Sequence, residues 1–415
     1  MPNLIEEQKL ILAEVGANSN KYYFIKLFDD DSVVANYGRV GVTEQTTDYR
    51  GGKLFFDKKV REKCKKGYSL LKVVGGSSSI SSSVSNSSLK EIALQQIKTN
   101  KPELTKLISR LVDANIHRIV SNTSISYNDT TGLFSTPLGI ITPDAVVDAR
   151  NLLVEIKKSI VKGDYSSGSL IKNVNQYCRT VPQNLGMKLD IRVLFPDDAA
   201  IQSQLSILDS LESSYQTLQS APPTNKTVDQ PKVFDTELDI LDDSREIDRI
   251  SRWFHTSNHT THGYSNVKIR NFYKVKIREN WENFNEKLGN TKEVWHGTSE
   301  SNLTSILKSG LKLSPPSTTY IVGALFGRGH YGAVDSSKSL QYTFGRFGGN
   351  KGDSGWCWVC DFSLGNTYYI TKYGGSLPSG YDSIYAKREK TGLRFDELIV
   401  PTNNQVRLKY LLEVK

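Results

Sequence analysis

The sequence predicts a multi-domain protein with a small strand-rich α+β domain, an all-α helical bundle and a C-terminal α+β domain built on a split sheet. Three observations predict this fold class. Residues 75–88 read GGSSSISSSVSNSS, a composition typical of a flexible linker because it offers little apolar surface to bury. Helical periodicity runs from about residue 89 to 220, and from Phe234 onward short strands with Gly-rich turns dominate, among them predicted strands at 356–362 and 406–414. A chain of 415 residues is also too long for one hydrophobic core.

The first segment, residues 1–74, combines strand patterns with one basic helix. Apolar and aromatic residues predict strands over 21–28 and 32–40, and residues 54–66 predict a helix. Residues 50–72 carry nine basic residues (Arg50, Lys53, Lys58, Lys59, Arg61, Lys63, Lys65, Lys66, Lys72) against two acidic ones (Asp57, Glu62), a net +7. With a formal charge of +9 for the whole chain, this excess is consistent with a polyanionic partner. A solvated helix face is the alternative.

The middle segment, residues 89–221, shows apolar stripes at helical spacing. Leu104, Leu107, Ile108 and Leu111 follow the i, i+3, i+4, i+7 pattern. Thr142 and Pro143 form a helix start signal, and Gly163 marks the end of that helix. A further stripe runs through residues 201–218, and the proline-containing segment 219–233 reads as a second linker. The segment is therefore predicted to be a helical bundle.

Composition argues against several classes of protein. The four cysteines (Cys64, Cys178, Cys357, Cys360) are too few for a disulfide framework, which favours a reducing compartment. The N-terminus lacks the basic and apolar segments of a signal peptide. Apolar runs stay below the length that would cross a bilayer, so we expect no membrane partner.

Three short stretches near the C-terminus place polar, aromatic and acidic residues in a characteristic order. They are Trp295-His296-Gly297-Thr298, then Gly327-Arg328-Gly329-His330-Tyr331 continuing to Ser337-Lys338-Ser339-Leu340-Gln341-Tyr342, and Asp396-Glu397-Leu398-Ile399-Val400. Glycine allows a ligand to approach the backbone closely. A carboxylate accepts two hydrogen bonds and stabilises nearby positive charge. The three stretches together therefore supply glycines, aromatic rings and a carboxylate that could line a ligand pocket.

In this order, the three stretches resemble the NAD pocket of the poly(ADP-ribose) polymerase family. The resemblance implies a catalytic triad of His296, Tyr331 and Glu397, with Glu397 binding the nicotinamide ribose and orienting the attacking hydroxyl. It also implies that His296, Gly297, Thr298, Lys312, Tyr331, Ser339 and Tyr342 bind NAD. NAD is then the substrate, and no metal is expected. Lys312 stands where the family often has arginine.

The earlier segments resemble further parts of the same family. The strands around Tyr37-Gly38-Arg39-Val40-Gly41 and the lysine-rich helix resemble a WGR domain, with Tyr37 in the place of the signature tryptophan. This implies that Tyr37, Arg39, Lys58, Lys59 and Lys63 bind nucleic acid. Pro137-Leu138-Gly139 and the stretch 180–186 resemble the regulatory helical domain of the DNA-dependent polymerases. The implied domains are WGR-like at 1–74, linker at 75–88, regulatory helical at 89–221 and transferase at 222–415.

The resemblance predicts a DNA-break-dependent enzyme that transfers ADP-ribose from NAD to proteins, itself included, and releases nicotinamide. Its implied activator is a DNA break with a 5′-phosphate end, and its implied location is the nucleus. Two alternatives stay open. One is a DNA-end-binding adaptor that binds NAD without turnover, and the other is a transferase activated by RNA or a protein. The motifs do not distinguish single-unit from polymer products.

Three features of the C-terminal region either differ from the family pattern or could indicate a different kind of site. Gly332 stands where the family usually has an aromatic residue, and the acidic residue that follows comes one position later, at Asp335. His255, His259 and His262 have a spacing that could ligate zinc. They lie, however, in a stretch that resembles a metal-free segment of the transferase domain. Cys357 and Cys360 are predicted to lie on opposite faces of one strand, one in the core and one at the surface.

Overall fold

The computed structural model describes residues 2–14, 17–40, 44–70, 89–99, 101–123, 125–127, 134–136, 139–140, 143–183, 190–197, 200–201, 203–205, 207–209, 211–212, 232–259, 264, 266–313, 325–344 and 354–415. Contacts divide the chain into two compact units, Met1–Asn86 with His117–Ile201, and Ser87–Ile116 with Gln202–Lys415. The boundaries predicted above at 74, 88 and 221 stay predictions. The predicted linker 75–88 lies outside the described residues.

The N-terminal part of the first unit is an antiparallel five-stranded sheet with one helix. The strands are β1 (Leu4–Glu14), β2 (Ser19–Phe28), β3 (Ser32–Arg39), β4 (Gln45–Arg50) and β5 (Ser69–Leu70), in the order β4-β3-β2-β1-β5, and the helix is α1 (Gly52–Lys65). The predicted strands over 21–28 and 32–40 and the predicted helix are confirmed. Strand β1 was not predicted because the polar run Glu6, Glu7, Gln8 and Lys9 conceals its alternation.

The predicted helical middle segment is confirmed, with one addition. Its helices are α2 (Leu89–Gln96), α3 (Pro102–Asn122), α4 (Pro143–Val161), α5 (Gly168–Thr180) and α6 (Ile191–Leu194). The stripe at 104, 107, 108 and 111 is buried, helix α4 begins at Pro143, and Gly163 follows its end with φ of 70°. The predicted cap Thr142 lies outside the described residues.

The addition is a small antiparallel sheet formed by β6 (Ser126–Tyr127), β7 (Phe134–Thr136) and β8 (Gly139–Ile140). The prediction that this segment is all-α is therefore wrong at this point. Strands of two or three residues are too short to carry a recognisable period.

The C-terminal domain is built on a mixed nine-stranded sheet. Its strands are β9 (Thr236–Ile240), β10 (Ile269–Ile277), β11 (Thr291–Thr298), β12 (His330–Ala333), β13 (Gly355–Ser363), β14 (Thr367–Ile370), β15 (Ser383–Ala386), β16 (Glu397–Val400) and β17 (Val406–Val414). Their order is β14-β15-β16-β12-β11-β13-β17-β10-β9. The helices are α7 (Ser244–Thr256), α8 (Arg278–Glu282), α9 (Glu300–Ser309), α10 (Ser336–Thr343) and α11 (Arg388–Thr391), with 3-10 turns at Glu286–Leu288 and Asn403–Gln405. The predicted strands at 356–362 and 406–414 are confirmed.

Strand β13 lies at the centre of this sheet and all of its residues are buried. Trp356 and Trp358 on β13, together with Trp295 on β11, are fully buried side chains. Cys357 and Cys360 are both buried as well, so the prediction that one of these thiols is exposed is wrong. A central strand covered on both faces buries both of its side-chain rows.

Charged side chains form a continuous chain of ion pairs across three neighbouring strands. In order, the network runs Glu246, Arg249, Glu293, Lys409, Asp361, Arg407 and Glu286. Asp361 occupies its centre and is only 4% exposed. One Asp361 oxygen accepts from Arg407 Nη2 at 2.8 Å, and the other accepts from Lys409 Nζ at 3.0 Å. The Asp361 carboxylate therefore lies buried between two cations.

The first part of α3 packs onto the C-terminal sheet. Arg110 contacts Glu300 and Glu413 at 2.9 Å each, and its guanidinium lies 5.3 Å from the ring of Trp356. Asn115 donates a hydrogen bond to the carbonyl of Ser301 at 2.8 Å. These contacts explain why residues 87–116 belong to the same compact unit as the C-terminal domain. No helix within the described ranges is long and apolar enough to cross a membrane.

Candidate active site

The three residues of the predicted triad lie on three adjacent strands. His296 is on β11, Tyr331 on β12 and Glu397 at the start of β16. These strands are neighbours in the order β16-β12-β11, and Ala333 on β12 pairs with both Glu397 and Trp295. Sheet pairing therefore brings together residues that are far apart in the sequence.

Hydrogen bonds fix the orientation of both His296 and Tyr331. His296 Nδ1 donates to the carbonyl of Tyr331 at 3.1 Å, which makes Nε2 the accepting nitrogen of the neutral ring. Burial lowers the pKa of His296, so the neutral imidazole is favoured. The Tyr331 hydroxyl donates to the carbonyl of Gly327 at 2.8 Å and accepts from the amide of Phe326 at 2.9 Å. These two hydrogen bonds therefore fix the Tyr331 ring through its hydroxyl group.

The Glu397 carboxylate is buried and ion-paired. It is 6% exposed, and its Oε1 lies 2.7 Å from Nζ of Lys338 on α10. The Lys338 ammonium also lies 5.6 Å from the ring centre of Tyr342, one helical turn further along α10. Burial opposes the charged form of Lys338, but Tyr342 and Glu397 outweigh it and raise the pKa of the ammonium. Glu397, Lys338 and Tyr342 thus form one charged and aromatic cluster.

The sequence does not predict Lys338 as a site residue, although Lys338 lies inside the second of the three C-terminal stretches. A signal was available, because Lys338 and Tyr342 are four residues apart and therefore share one face of a helix. What local pattern could not show is that this face meets β16, a strand almost 60 residues further along the chain.

Helix α10 packs against Gly297 so closely that no side chain fits there. A β-carbon on Gly297 would overlap the carbonyl oxygen of Ser339 and lie 2.9 Å from Oγ1 of Thr343. Ser339 is 2% exposed and the next residue of β11, Thr298, is 6% exposed. The glycine therefore allows the Gly297 backbone and the Ser339 turn of α10 to approach each other.

We predict that Gly297→Ala lowers the free energy of unfolding by about 1–3 kcal/mol, because α10 must move away from β11. The same shift should raise KM for NAD. Urea unfolding and initial rates test this. Gly168→Ala is the matched control, since a β-carbon on Gly168 meets no atom within 4 Å. Equal unfolding midpoints for the two variants would contradict the prediction.

The two departures from the family pattern have structural reasons. A β-carbon on Gly332 would lie 2.5 Å from Cγ2 of Val294, so an aromatic residue cannot fit at this position of β12. Asp335, which follows β12, accepts a hydrogen bond from Nε2 of His259 at 2.9 Å.

Within the described ranges, no group of histidine, cysteine and acidic residues is arranged to hold a metal ion. His262 lies outside those ranges.

The remaining predicted NAD ligand, Lys312, follows α9 and pairs with Glu279 at 3.1 Å. Both residues line a cavity of about 320 Å³, together with Asn280, Asn283, Ser309, Leu311, Asn403 and Asn404. Asn403 links this cavity to β12, because its Oδ1 accepts from the amide of Leu313 and from Nε2 of His330, each at 2.9 Å. Among the described residues that line this cavity with Lys312, none belongs to the cluster of Glu397, Lys338 and Tyr342.

His330 provides a pH-dependent contribution to stability. It is 6% exposed, and burial, aided by neighbouring charges such as Arg328, lowers its pKa to about 4. In the unfolded chain the pKa of a histidine is about 6.5. The neutral His330 therefore contributes stability that is fully present above about pH 6.5 and is lost as the pH falls towards 4, about 3 kcal/mol in all.

We predict that His330→Gln removes this part of the acid sensitivity. Urea unfolding at pH 7.5 and 4.5 measures it, with His255→Ala, which alters an exposed histidine, as the control. The difference between the two pH values should shrink for His330→Gln and stay as in the parent protein for His255→Ala. An unchanged difference for His330→Gln contradicts the assignment.

Comparison with known proteins finds two domain models that match parts of this chain. Residues 244–394 match the poly(ADP-ribose) polymerase catalytic domain, and residues 8–72 match the WGR domain. The chain carries a poly(ADP-ribose) polymerase catalytic domain and a WGR domain. The catalytic match begins with α7, contains His296 and Tyr331, and ends three residues before Glu397. The chain is therefore an NAD ADP-ribosyltransferase, and NAD is its substrate.

Relatives cover most of the chain. Poly(ADP-ribose) polymerase 2-B of Oryza sativa subsp. japonica is 24% identical and aligns with 96% of this chain and 70% of its own length. Poly(ADP-ribose) polymerase 2 of Homo sapiens is also 24% identical, with 96% and 77% covered. Protein mono-ADP-ribosyltransferase PARP3 of Mus musculus is 26% identical, with 90% and 75% covered. The relatives thus include both polymerases and a mono-ADP-ribosyltransferase.

The WGR domain holds the five residues predicted to bind nucleic acid. Lys58 is exposed on α1, whereas Lys59 pairs with Glu62 at 3.2 Å. Nζ of Lys63 lies 3.9 Å from the ring centre of Tyr23, and burial lowers the pKa of this ammonium. On β3, Arg39 donates to Asn18, while the hydroxyl groups of Tyr37 and Thr47 lie 3.2 Å apart. Most of these side chains therefore have partners within the domain, and their role in nucleic-acid binding stays a prediction.

Proposed function

We propose that this chain is a DNA-break-dependent ADP-ribosyltransferase that modifies protein side chains, including its own, in the nucleus. The observation that carries the proposal is the buried pair of Glu397 and Lys338 beside Tyr331 and Tyr342. Cleavage of the nicotinamide–ribose bond develops positive charge on the ribose, and a carboxylate positioned in advance stabilises that charge. The ion pair with Lys338 fixes the Glu397 carboxylate before the reaction begins. The carboxylate therefore does not have to move as the positive charge develops.

The other residues take roles that suit the two ends of NAD. The Gly297 backbone and the Ser339 hydroxyl hold the nicotinamide carboxamide, and the rings of Tyr331 and Tyr342 line the nicotinamide ring. His296, with Nε2 free to accept a hydrogen bond, binds the adenosine ribose. Thr298 and Lys312 bind the adenosine side. Nicotinamide leaves as a neutral molecule, and the acceptor attacks the ribose carbon that it vacates.

DNA dependence is assigned to the WGR domain. It is supported by the basic face of α1 and by the domain's membership of a family whose relatives include poly(ADP-ribose) polymerase 2. Tyr37 offers a smaller ring for stacking than the signature tryptophan would, and this difference favours a second candidate, in which RNA or a protein partner is the activator. Binding through phosphates should weaken steeply as salt rises.

Labelled NAD tests the proposal. The full chain is incubated with a blunt 5′-phosphorylated duplex, the same duplex without phosphate, single-stranded RNA, or no nucleic acid. We expect label on the protein only with duplex, and most with the phosphorylated end. Label with RNA alone supports the second candidate. Intact NAD in all four reactions rejects both.

A pair of variants on α1 tests the surface. Lys58→Ala should weaken duplex binding and reduce the salt dependence by about one phosphate contact. Lys53→Ala is the matched control. Lys53 lies on the same helix, but it already forms ion pairs with Asp57 of α1 and with Glu6 of β1. Equal effects of the two substitutions would speak against a defined phosphate contact at Lys58.

A further inference from the structure

A histidine–carboxylate pair lies beside the Glu397 cluster and belongs to no part of the triad. His259 follows α7, and its Nε2 lies 2.9 Å from Oδ1 of Asp335. Asp335 is 9% exposed, whereas the side chain of His259 is 41% exposed. One partner is thus buried and the other reaches solvent, which is the arrangement of a base that must meet a substrate.

The backbone holds this pair next to Glu397. The His259 amide donates to Oγ of Ser337 at 3.1 Å, and that hydroxyl donates to the carbonyl of Ser257 at 3.2 Å. Ser337 is on α10 directly before Lys338, the residue that pairs with Glu397. His259 is therefore anchored to the same helix that positions the carboxylate.

The ends of two paired strands place this pair relative to Glu397. Ala333 lies opposite Glu397, Asp335 follows the end of β12 by two residues, and Phe395 precedes the start of β16 by two residues. Two residues of chain span at most about 7 Å. The His259 ring stacks on Phe395 with ring centres 6.4 Å apart and an interplanar angle of 22°. The imidazole therefore lies beside the end of the β12–β16 pair at which Glu397 stands.

The intervening carboxylate is not available for the same task. Asp396 accepts hydrogen bonds from the Tyr385 hydroxyl at 3.0 Å and the Arg388 amide at 2.9 Å. Glu397 itself is engaged by the Lys338 ammonium, whose Nζ lies 2.7 Å from Oε1 of the carboxylate. His259 is the group beside the cluster whose chemistry suits removal of a proton.

The hydrogen bond to Asp335 sets the tautomer of His259. An ionised carboxylate only accepts hydrogen bonds, so Nε2 carries the proton and Nδ1 carries the free lone pair. Within the described ranges, Nδ1 has no hydrogen-bond partner. A carboxylate behind an imidazole also stabilises the imidazolium that forms when Nδ1 takes up a proton.

We propose that His259 is the general base for acceptors that bear a hydroxyl group, and that Asp335 is its positioning residue. This inference rests on the proposed transfer to protein side chains and names the acceptor class as serine or threonine hydroxyls. Hydroxyls need a base because they are weak nucleophiles while protonated, whereas carboxylate acceptors are already ionised at neutral pH.

The transfer step forms one bond at the ribose carbon and breaks another. The acceptor oxygen forms a bond to the ribose carbon of NAD while the bond from that carbon to the nicotinamide nitrogen breaks, and the bonding electron pair leaves with nicotinamide. The hydroxyl proton moves to Nδ1 of His259. The imidazolium then releases this proton to solvent, so each turnover yields one ADP-ribosylated hydroxyl, one nicotinamide and one proton.

Two acceptor peptides of the same sequence, with serine or glutamate at one position, test the inference with the full chain and labelled NAD. His259→Gln keeps a donor for Asp335 but cannot take up a proton. It should lower transfer to the serine peptide by about 10²-fold, the usual contribution of a general base, and leave transfer to the glutamate peptide within about twofold. His255→Ala, at an exposed position on α7, is the control and should match the parent protein on both peptides.

Rescue separates a chemical role from a structural one. Added imidazole should restore serine transfer by His259→Ala and have no effect on His259→Gln, which fills the space. Asp335→Asn should lower serine transfer by about tenfold, through loss of the tautomer preference. Undiminished serine transfer by His259→Gln, or equal losses on both peptides without rescue, overturns the inference. Absence of nicotinamide release from the parent protein would instead reject the proposed function.

Discussion

Glu397→Gln is expected to lower ADP-ribosyl transfer by about 10²- to 10³-fold, because glutamine keeps the size of the side chain but removes its charge. The amide would also leave the Lys338 ammonium without its carboxylate partner in a largely buried setting. Binding of NAD should change much less than turnover, since the charge acts mainly on the cationic transition state. Initial rates of nicotinamide release and calorimetric titration with NAD measure the two effects.

Glu389→Gln is the matched control, because Glu389 lies on α11 and is exposed. It should leave both transfer and NAD binding unchanged. Lys338→Met extends the comparison, since it removes the cation that positions Glu397 without touching the carboxylate. We expect it to lower the turnover rate as well. Near-normal transfer by Glu397→Gln would falsify the assignment of Glu397 as the catalytic carboxylate.

Asp361→Ala is expected to lower the free energy of unfolding of the C-terminal domain by about 3–5 kcal/mol. Asp361 is 4% exposed and lies between Arg407 and Lys409 at the centre of the ion-pair network. Its removal leaves two cations at a buried position with one partner fewer. Urea unfolding followed by tryptophan fluorescence is a suitable measurement, since Trp295, Trp356 and Trp358 are buried in the same sheet.

Glu286→Gln is the control for Asp361→Ala. Glu286 pairs with Arg407 at the end of the same network, but its side chain is 69% exposed. An exposed ion pair contributes about 0–1 kcal/mol, and salt screens it. The two substitutions should therefore differ several-fold in their effect on unfolding. Similar effects would mean that burial does not set the importance of Asp361.

Sequence patterns were sufficient for the elements and motifs that depend on neighbours in the chain. Helix α4 was predicted from a helical stripe and a start signal, because a helical period reflects one buried face, and strand β17 was predicted as one of the short strands between Gly-rich turns. Strand β1 escaped prediction because its polar residues hide the alternation, and strands β6 to β8 escaped because they are too short. The order of His296, Tyr331 and Glu397 was also recognisable, since each stands inside a short motif.

The contacts between those motifs required the folded chain. His259 reads from sequence as one of three closely spaced histidines, yet its partner is Asp335, 76 residues away. Lys338 reads as a helix-face lysine, yet it holds the carboxylate of Glu397. Arg110, in a segment predicted to be a separate bundle, lies against Trp356 and Glu413. Local periodicity shows which face of a helix or strand is buried. It carries no information about the element that covers this face. Strand order and helix packing therefore decide which distant side chain lies against it.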